Sequence, residues 1–114
     1  MHQFGVLIAD DHAIVRTGLT TLLETVDGIK VVGEADDGAA AVKKTLKLRP
    51  DIVIMDLMMP VMDGITAIRE IKAKLPQTKV LILTTSTVSD DLAKALEAGA
   101  EGAVTKATAN AKLI

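Results

Sequence analysis

The 114 residues suffice for one domain with its own core and leave no room for a second module of ordinary size. Hydrophobic residues make up 49% and charged residues 25%, a globular balance, and no apolar run approaches the roughly 20 residues that a bilayer span needs. A formal charge of -2 without a basic run argues against a nucleic-acid surface, the lack of cysteine removes thiolate chemistry, and a single aromatic residue, Phe4, removes base-stacking platforms. Met1-His2-Gln3-Phe4 has no basic stretch ahead of an apolar one, so a cytoplasmic location without membrane contact is the default expectation.

In chain order, Phe4 to Ala9 is an aliphatic run of strand length. Val15, Leu19, Leu22 and Leu23 then recur at helical spacing, one apolar face of a first helix, with His12 placed to open it. His2 and His12 are otherwise too isolated to read as a metal pair. Lys30 to Gly33 predicts a second strand, and Gly38 to Leu48 a second helix with Ala39, Val42 and Leu46 on one side. That helix must end before Arg49-Pro50, because proline disfavours the helical conformation in the residue before it. Asp51 to Met55 predicts a third strand. The third helix is expected over Gly64 to Leu75, capped by Asp63, with Ile65, Ile68, Ile71 and Leu75 buried and Pro76 beyond its end.

Lys79 to Leu83 predicts a fourth strand. Ser89 is a good N-cap for a fourth helix, with Asp90 and Asp91 in its first turn, Leu92, Ala95 and Leu96 inward and Gly99 as the stop. Gly102 to Thr105 predicts a fifth strand, and a fifth helix begins near Thr108 and is expected to be incomplete at Ile114. Met55, Met58, Met59 and Met62 read as packing side chains, and Gly64 and Gly102 as backbone requirements.

Strict alternation of strand and helix predicts an α/β fold, a doubly wound parallel sheet covered on both faces, formed by one domain over residues 1–114. The connections are short except Leu57 to Asp63 and Thr84 to Val88, which follow the third and fourth strands. In an open α/β sheet the site lies beyond the carboxyl ends of the strands, so polar residues there are the candidates for function.

Three aspartates stand at such ends: Asp10 and Asp11 after the first strand, Asp56 after the third. Converging carboxylates repel one another unless a cation neutralises them, and an all-oxygen set suits Mg²⁺ better than zinc. Each also has a plainer explanation, helix capping for Asp10 and Asp11 and a turn position for Asp56. Thr84 and Lys106 end the fourth and fifth strands and bring a hydroxyl and an ammonium to the same rim. Alone they are a strand-end threonine and a solvated lysine; as a set they fit phosphoryl transfer onto a carboxylate, which needs positioning and neutralisation more than a base.

With Asp10-Asp11, Asp56-Leu-Met-Met-Pro60-Val-Met-Asp63-Gly64, Thr84 and Lys106, the chain resembles the receiver domains of two-component response regulators over nearly its whole length. The resemblance implies a flavodoxin-like (βα)5 receiver with strand order 2-1-3-4-5 and a truncated last helix. It also implies Asp56 as the phosphoryl acceptor, and Mg²⁺ held by Asp11, Asp56 and the main-chain carbonyl of Met58 with Asp10 assisting. Thr84 and Lys106 would contact the phosphoryl group. A sensor histidine kinase would be the donor, and a homodimer the expected response.

Ile8-Ala-Asp-Asp-His-Ala-Ile-Val-Arg-Thr-Gly18-Leu, Val31-Val-Gly-Glu-Ala35 and a Lys106 with no proline after it resemble the subfamily with a LuxR-type helix-turn-helix. Transcription regulation through DNA is therefore implied, by a domain that these residues do not include. One departure concerns Ala103, which stands where the family usually carries Tyr or Phe and puts the usual aromatic switch in doubt.

Such a domain accepts a phosphoryl group and is not an enzyme acting on an outside substrate. The alternative is a Mg²⁺-dependent aspartyl-phosphate phosphatase or mutase of haloacid-dehalogenase type. Those enzymes place a second Asp two residues after the nucleophile, where this chain has Met58. A flavodoxin-like cofactor binder would want aromatic residues against a flavin, and the chain has no Trp or Tyr.

Overall fold

A computed structural model describes residues 3–57, 62–84 and 90–105; for Thr84, Asp90 to Leu92, Val104 and Thr105 it describes the main chain alone. The elements alternate as β1 (Phe4–Ala9), α1 (Ala13–Glu24), β2 (Ile29–Ala35), α2 (Gly38–Leu48) and β3 (Ile52–Asp56). They continue as α3 (Gly64–Lys74), β4 (Lys79–Thr84), α4 (Asp90–Ala98) and β5 (Gly102–Thr105). The five strands form one parallel sheet in the order β2-β1-β3-β4-β5.

The chain leaves β1 in one direction to build β2, then crosses back over β1 and adds β3, β4 and β5 in the other. Right-handed crossovers put helices made in opposite directions on opposite faces. Accordingly α2, α3 and α4 cover one face, where Ala41, Val42, Ala67, Ile68, Ile71 and Ala95 pack on Leu7, Val53, Met55, Val80 and Ile82. On the other face Leu19 of α1, with Val15 and Leu23, packs on Val6, Ile8 and Leu83. Strand β1 is buried on both sides, so Val6 to Ala9 all lie in the core and their run is unbroken by polar residues.

The helix ends follow local chemistry. Asp37 Oδ1 accepts from Ala40 N–H at 2.7 Å and Asp63 Oδ1 from Thr66 N–H at 2.8 Å, which satisfies free donors in the first turns of α2 and α3. Helix α2 stops at Arg49, which takes the left-handed conformation with φ 48°, and α4 at Gly99 with φ 122°.

Several expectations need correction. The buried residues of α2 are Gly38, Ala41, Val42 and Thr45; Leu46 is half-buried and packs against the same core as Val42, while Ala39, also half-buried, lies off that face. In α4, Ala95 is buried but Leu96 is 45% exposed, since one side of this short helix meets the core and Leu96 lies off it. Gly102 is not a backbone requirement: a Cβ there would meet only Leu81 Cδ2 at an ordinary 3.4 Å. Ser89, the side chain of Leu92 and the helix expected near Thr108 lie outside the described residues.

Candidate phosphoacceptor and cation site

The order in which strands are added reverses between β1 and β3, which lie side by side and parallel, and the crevice outside their carboxyl ends is where such folds bind ligands. Asp10 and Asp11 follow β1 and Asp56 ends β3, so topology brings them together. Carboxylate oxygens of all three, with a ring nitrogen of His12, lie within 4.8 Å of one another. Asp10 is fully buried and Asp56 is 2% exposed, whereas the side chains of Asp11 and His12 open to solvent. At such separations two unit charges repel by about 3 kcal/mol or more per pair at an effective dielectric near 20, so three ionised groups call for a counter-charge.

The loop after β1 is held from several sides. Asp10 N–H donates to the Ala35 carbonyl at 3.0 Å, extending the β1–β2 pairing by one bond. Asp10 Oδ1 accepts from His12 N–H at 2.7 Å, and Arg16 Nη1 donates to the Asp10 main-chain oxygen at 2.5 Å. The plainer capping explanation for Asp10 and Asp11 fails, because the N-cap of α1 is His12, whose side chain makes no capping bond.

The chain leaves β3 at Asp56 and enters α3 at Gly64, whose N–H donates to the Leu57 carbonyl at 3.1 Å. A Cβ on Gly64 would stand 2.5 Å from the Asp56 carbonyl oxygen, so glycine is required there by close approach. Met55 is fully buried and Met62 packs against the core, which agrees with their reading as packing side chains. The main chain of Thr84 ends β4 beside β3 and pairs with Thr105 of β5. Ala103 pairs with Ile82 and is exposed. Met58 and Lys106 lie outside the described residues.

His12 opens α1 as its N-cap, where the sequence reading placed it, and its ring also meets the acidic cluster. No His or Cys partner stands at ligand spacing, but its neighbours are carboxylates: Nδ1 lies 3.0 Å from Asp10 Oδ1 and 3.0 Å from Asp11 Oδ1. Its adjacency to Asp10-Asp11 was the available signal.

The donors fit a divalent cation. Three carboxylates, two of them buried and converging from different strand ends, form an oxygen-rich set of the kind that Mg²⁺ takes. A five-stranded doubly wound parallel sheet in this strand order, with an acidic cluster at its switch point, defines a flavodoxin-like domain. Comparison with known proteins narrows that class. Residues 6–114 match the response regulator receiver domain family. The response regulator VraR of Staphylococcus aureus is 44% identical over 103 residues, covering 90% of this chain and 49% of that protein. Among solved structures, a LuxR-family response regulator from Aurantimonas sp. superposes with a TM-score of 0.85 at 41% identity over 91% of this chain and 74% of that one. The receiver domain of the NarL response regulator from Mycobacterium tuberculosis gives a TM-score of 0.91 at 31% identity over 99% and 91%.

The chain belongs to the response regulator receiver domain family. It is similar to receivers of the LuxR and NarL kind, as the opening motif implied, and it spans about half the length of the curated relatives it matches. Nothing in these matches supports the phosphatase alternative.

Proposed function

We propose that this receiver takes a phosphoryl group onto Asp56 from a sensor histidine kinase, with Mg²⁺ held by Asp10, Asp11, Asp56 and the main-chain carbonyl of Met58. The observation that carries the reading is the placement of the 2%-exposed Asp56 at the carboxyl end of β3, with Asp10 and Asp11 oxygens within 4.8 Å. Carboxylates gathered this closely repel one another, and a divalent cation bound among them would offset that repulsion.

In the step itself an Asp56 carboxylate oxygen bonds to phosphorus as the bond to the donor nitrogen breaks, leaving an acyl phosphate that water later hydrolyses. A bound Mg²⁺ supplies neutralisation of the charge gathered on the phosphoryl oxygens. Asp10 and Asp11 hold the charge balance from the β1 side, and Thr84 and Lys106 contact the phosphoryl group from β4 and β5. Turnover is confined to the domain's own phosphorylation and dephosphorylation, so no outside substrate is processed.

The output we infer is transcriptional. Similarity to a LuxR-family regulator supports a helix-turn-helix domain outside these residues, with DNA bound through it alone, a cytoplasmic setting and homodimerisation on phosphorylation. No helix among the described residues is long and apolar enough to cross a membrane. Incubation with a small-molecule phosphodonor tests the reading: intact mass should rise by one phosphoryl group with Mg²⁺ present and stay unchanged after chelation. Equal uptake without any divalent cation would refute it.

A further inference from the structure

We propose that Asp27-Gly28, in the turn between α1 and β2, is a modification site at which aspartate converts to isoaspartate in the folded chain. The turn then becomes a substrate for an isoaspartyl methyltransferase that uses S-adenosylmethionine. The fold protects the chain's two other Asp-Gly steps, Asp37-Gly38 and Asp63-Gly64.

The chemistry needs only water. The Gly28 nitrogen loses its proton and attacks Asp27 Cγ; an N–C bond forms, a Cγ–O bond breaks, and the oxygen leaves as water to give a five-membered cyclic imide. Water then adds back at either carbonyl. When it opens the bond from the nitrogen to the main-chain carbonyl carbon, the chain runs through the former side chain and an α-carboxylate is set free, the group that the methyltransferase esterifies. No electrons change hands. The step requires a carboxyl group with no bond to hold it, a following nitrogen that is not already donating, and a chain able to turn; glycine as the next residue leaves that nitrogen unshielded.

The three steps differ in these respects. Asp27 is exposed, and neither its carboxylate nor the Gly28 N–H has a hydrogen-bond partner among the described residues. Gly28 takes φ 87° in a turn closed by a 3.3 Å bond from Ile29 N–H to the Val26 carbonyl, and nothing stands within 4 Å of the place a Cβ would occupy. At the second step Asp37 Oδ1 accepts from Ala40 N–H at 2.7 Å, and Gly38 is buried under the main chain of Met62. At the third, both oxygens of Asp63 are engaged, by Thr66 N–H at 2.8 Å and the Thr66 hydroxyl at 3.2 Å, and Gly64 N–H already donates to the Leu57 carbonyl. Conversion at Asp27 lengthens the main chain by one carbon just where the Gly28 carbonyl accepts from Phe4 N–H at 2.7 Å and Ile29 opens the β1–β2 pairing.

The experiment ages the folded chain in warm neutral buffer and digests it with trypsin, which places the three steps in separate peptides, residues 17–30, 31–43 and 48–69. The peptides are then treated with the methyltransferase and labelled S-adenosylmethionine, with unaged protein as the background. Label on 17–30 should exceed that on either other peptide by about tenfold or more, because the locked steps react only after local opening. Ageing in denaturing urea should bring the three to similar levels. Asp27→Glu, which keeps the charge but cannot close the five-membered ring, should lose the label on 17–30 alone. Comparable label on all three peptides from the folded chain, or label on 17–30 no higher than in unaged protein, would overturn the assignment. So would label that persists in Asp27→Glu, and a folded-state pattern that survives in urea would assign the selectivity to the sequence and not to the fold.

Discussion

Arg16 Nη1 lies 2.5 Å from the main-chain oxygen of Asp10, and the same guanidinium meets Glu34 Oε1 through Nε at 3.1 Å. The peptide between Asp10 and Asp11 is thereby fixed from α1, and Arg16 is braced by β2, where Lys44 Nζ also donates to the Glu34 carbonyl at 2.5 Å. Arg16→Ala should cost about 1–3 kcal/mol for the lost charged hydrogen bonds and weaken Mg²⁺ binding several-fold. Arg16→Lys should fall between, since an ammonium lacks the planar fork that reaches both partners. Titration of both variants checks this; wild-type Mg²⁺ affinity in Arg16→Ala would show that the acidic loop does not depend on the guanidinium.

Gly38 at the start of α2 lies under the main chain of Met62, in the segment that returns from the acceptor loop, and a Cβ on Gly38 would come 1.8 Å from the Met62 carbonyl oxygen. The φ at Gly38 is not positive, so the requirement is space and not conformational freedom. Gly38→Ala should destabilise by about 1–3 kcal/mol through overpacking. It should also slow phosphoryl uptake, because the strain falls on the loop between Asp56 and Asp63. Urea unfolding and uptake kinetics measure the two effects; a variant equal to the parent in both would contradict the reading.

At the opposite end of the sheet, Lys72 of α3 and Glu101 before β5 meet at 2.6 Å, while Glu101 Oε2 accepts from Val80 N–H at 2.6 Å. Burial of Glu101 opposes its ionisation, but the bonds from Lys72 and Val80 outweigh this and hold its pKa below the ordinary 4.5. A carboxyl depressed on folding adds stability that is present above the unfolded value and lost as pH falls through the folded one. Glu101→Gln should thus cost about 1–2 kcal/mol at pH 7 and progressively less below pH 4.5. Unfolding curves across that range provide the check, and a cost independent of pH would refute the assignment.

The strands were legible because a parallel sheet buried on both faces demands unbroken aliphatic runs, and both limits of β1 and of β5 agree with the sequence reading. Helix faces were less so. In α2 the contact that sets its rotation, Gly38 against Met62, involves a glycine and a main-chain carbonyl, and neither leaves a mark in hydrophobic periodicity. The Asp10, Asp11 and Asp56 cluster could be inferred because strand ends converge, a property of topology alone. The places of Arg16 and His12 could not, since a long or exposed side chain beside an acidic loop has many rotamers, and only the folded chain shows that both turn toward Asp10.

Ala103 is exposed on β5, opposite Ile82. A methyl group cannot report phosphorylation by swinging between positions, so the face formed by α4 and β5 should change only modestly, and dimerisation should read the state through another surface such as α1. Amide hydrogen exchange with and without a phosphoryl mimic measures this. Large protection changes over residues 89–104 with none in α1 would contradict it.

The central claim is that Asp56 carries the phosphoryl group. Peptide mapping by mass spectrometry, after reaction with a small phosphodonor and Mg²⁺, tests it most directly when the chain is run beside Asp56→Asn. The account predicts one labelled peptide containing Asp56 in the parent and no label in the variant, whereas labelling of Asp56→Asn at the parent's rate, or a labelled peptide lacking Asp56, would contradict it.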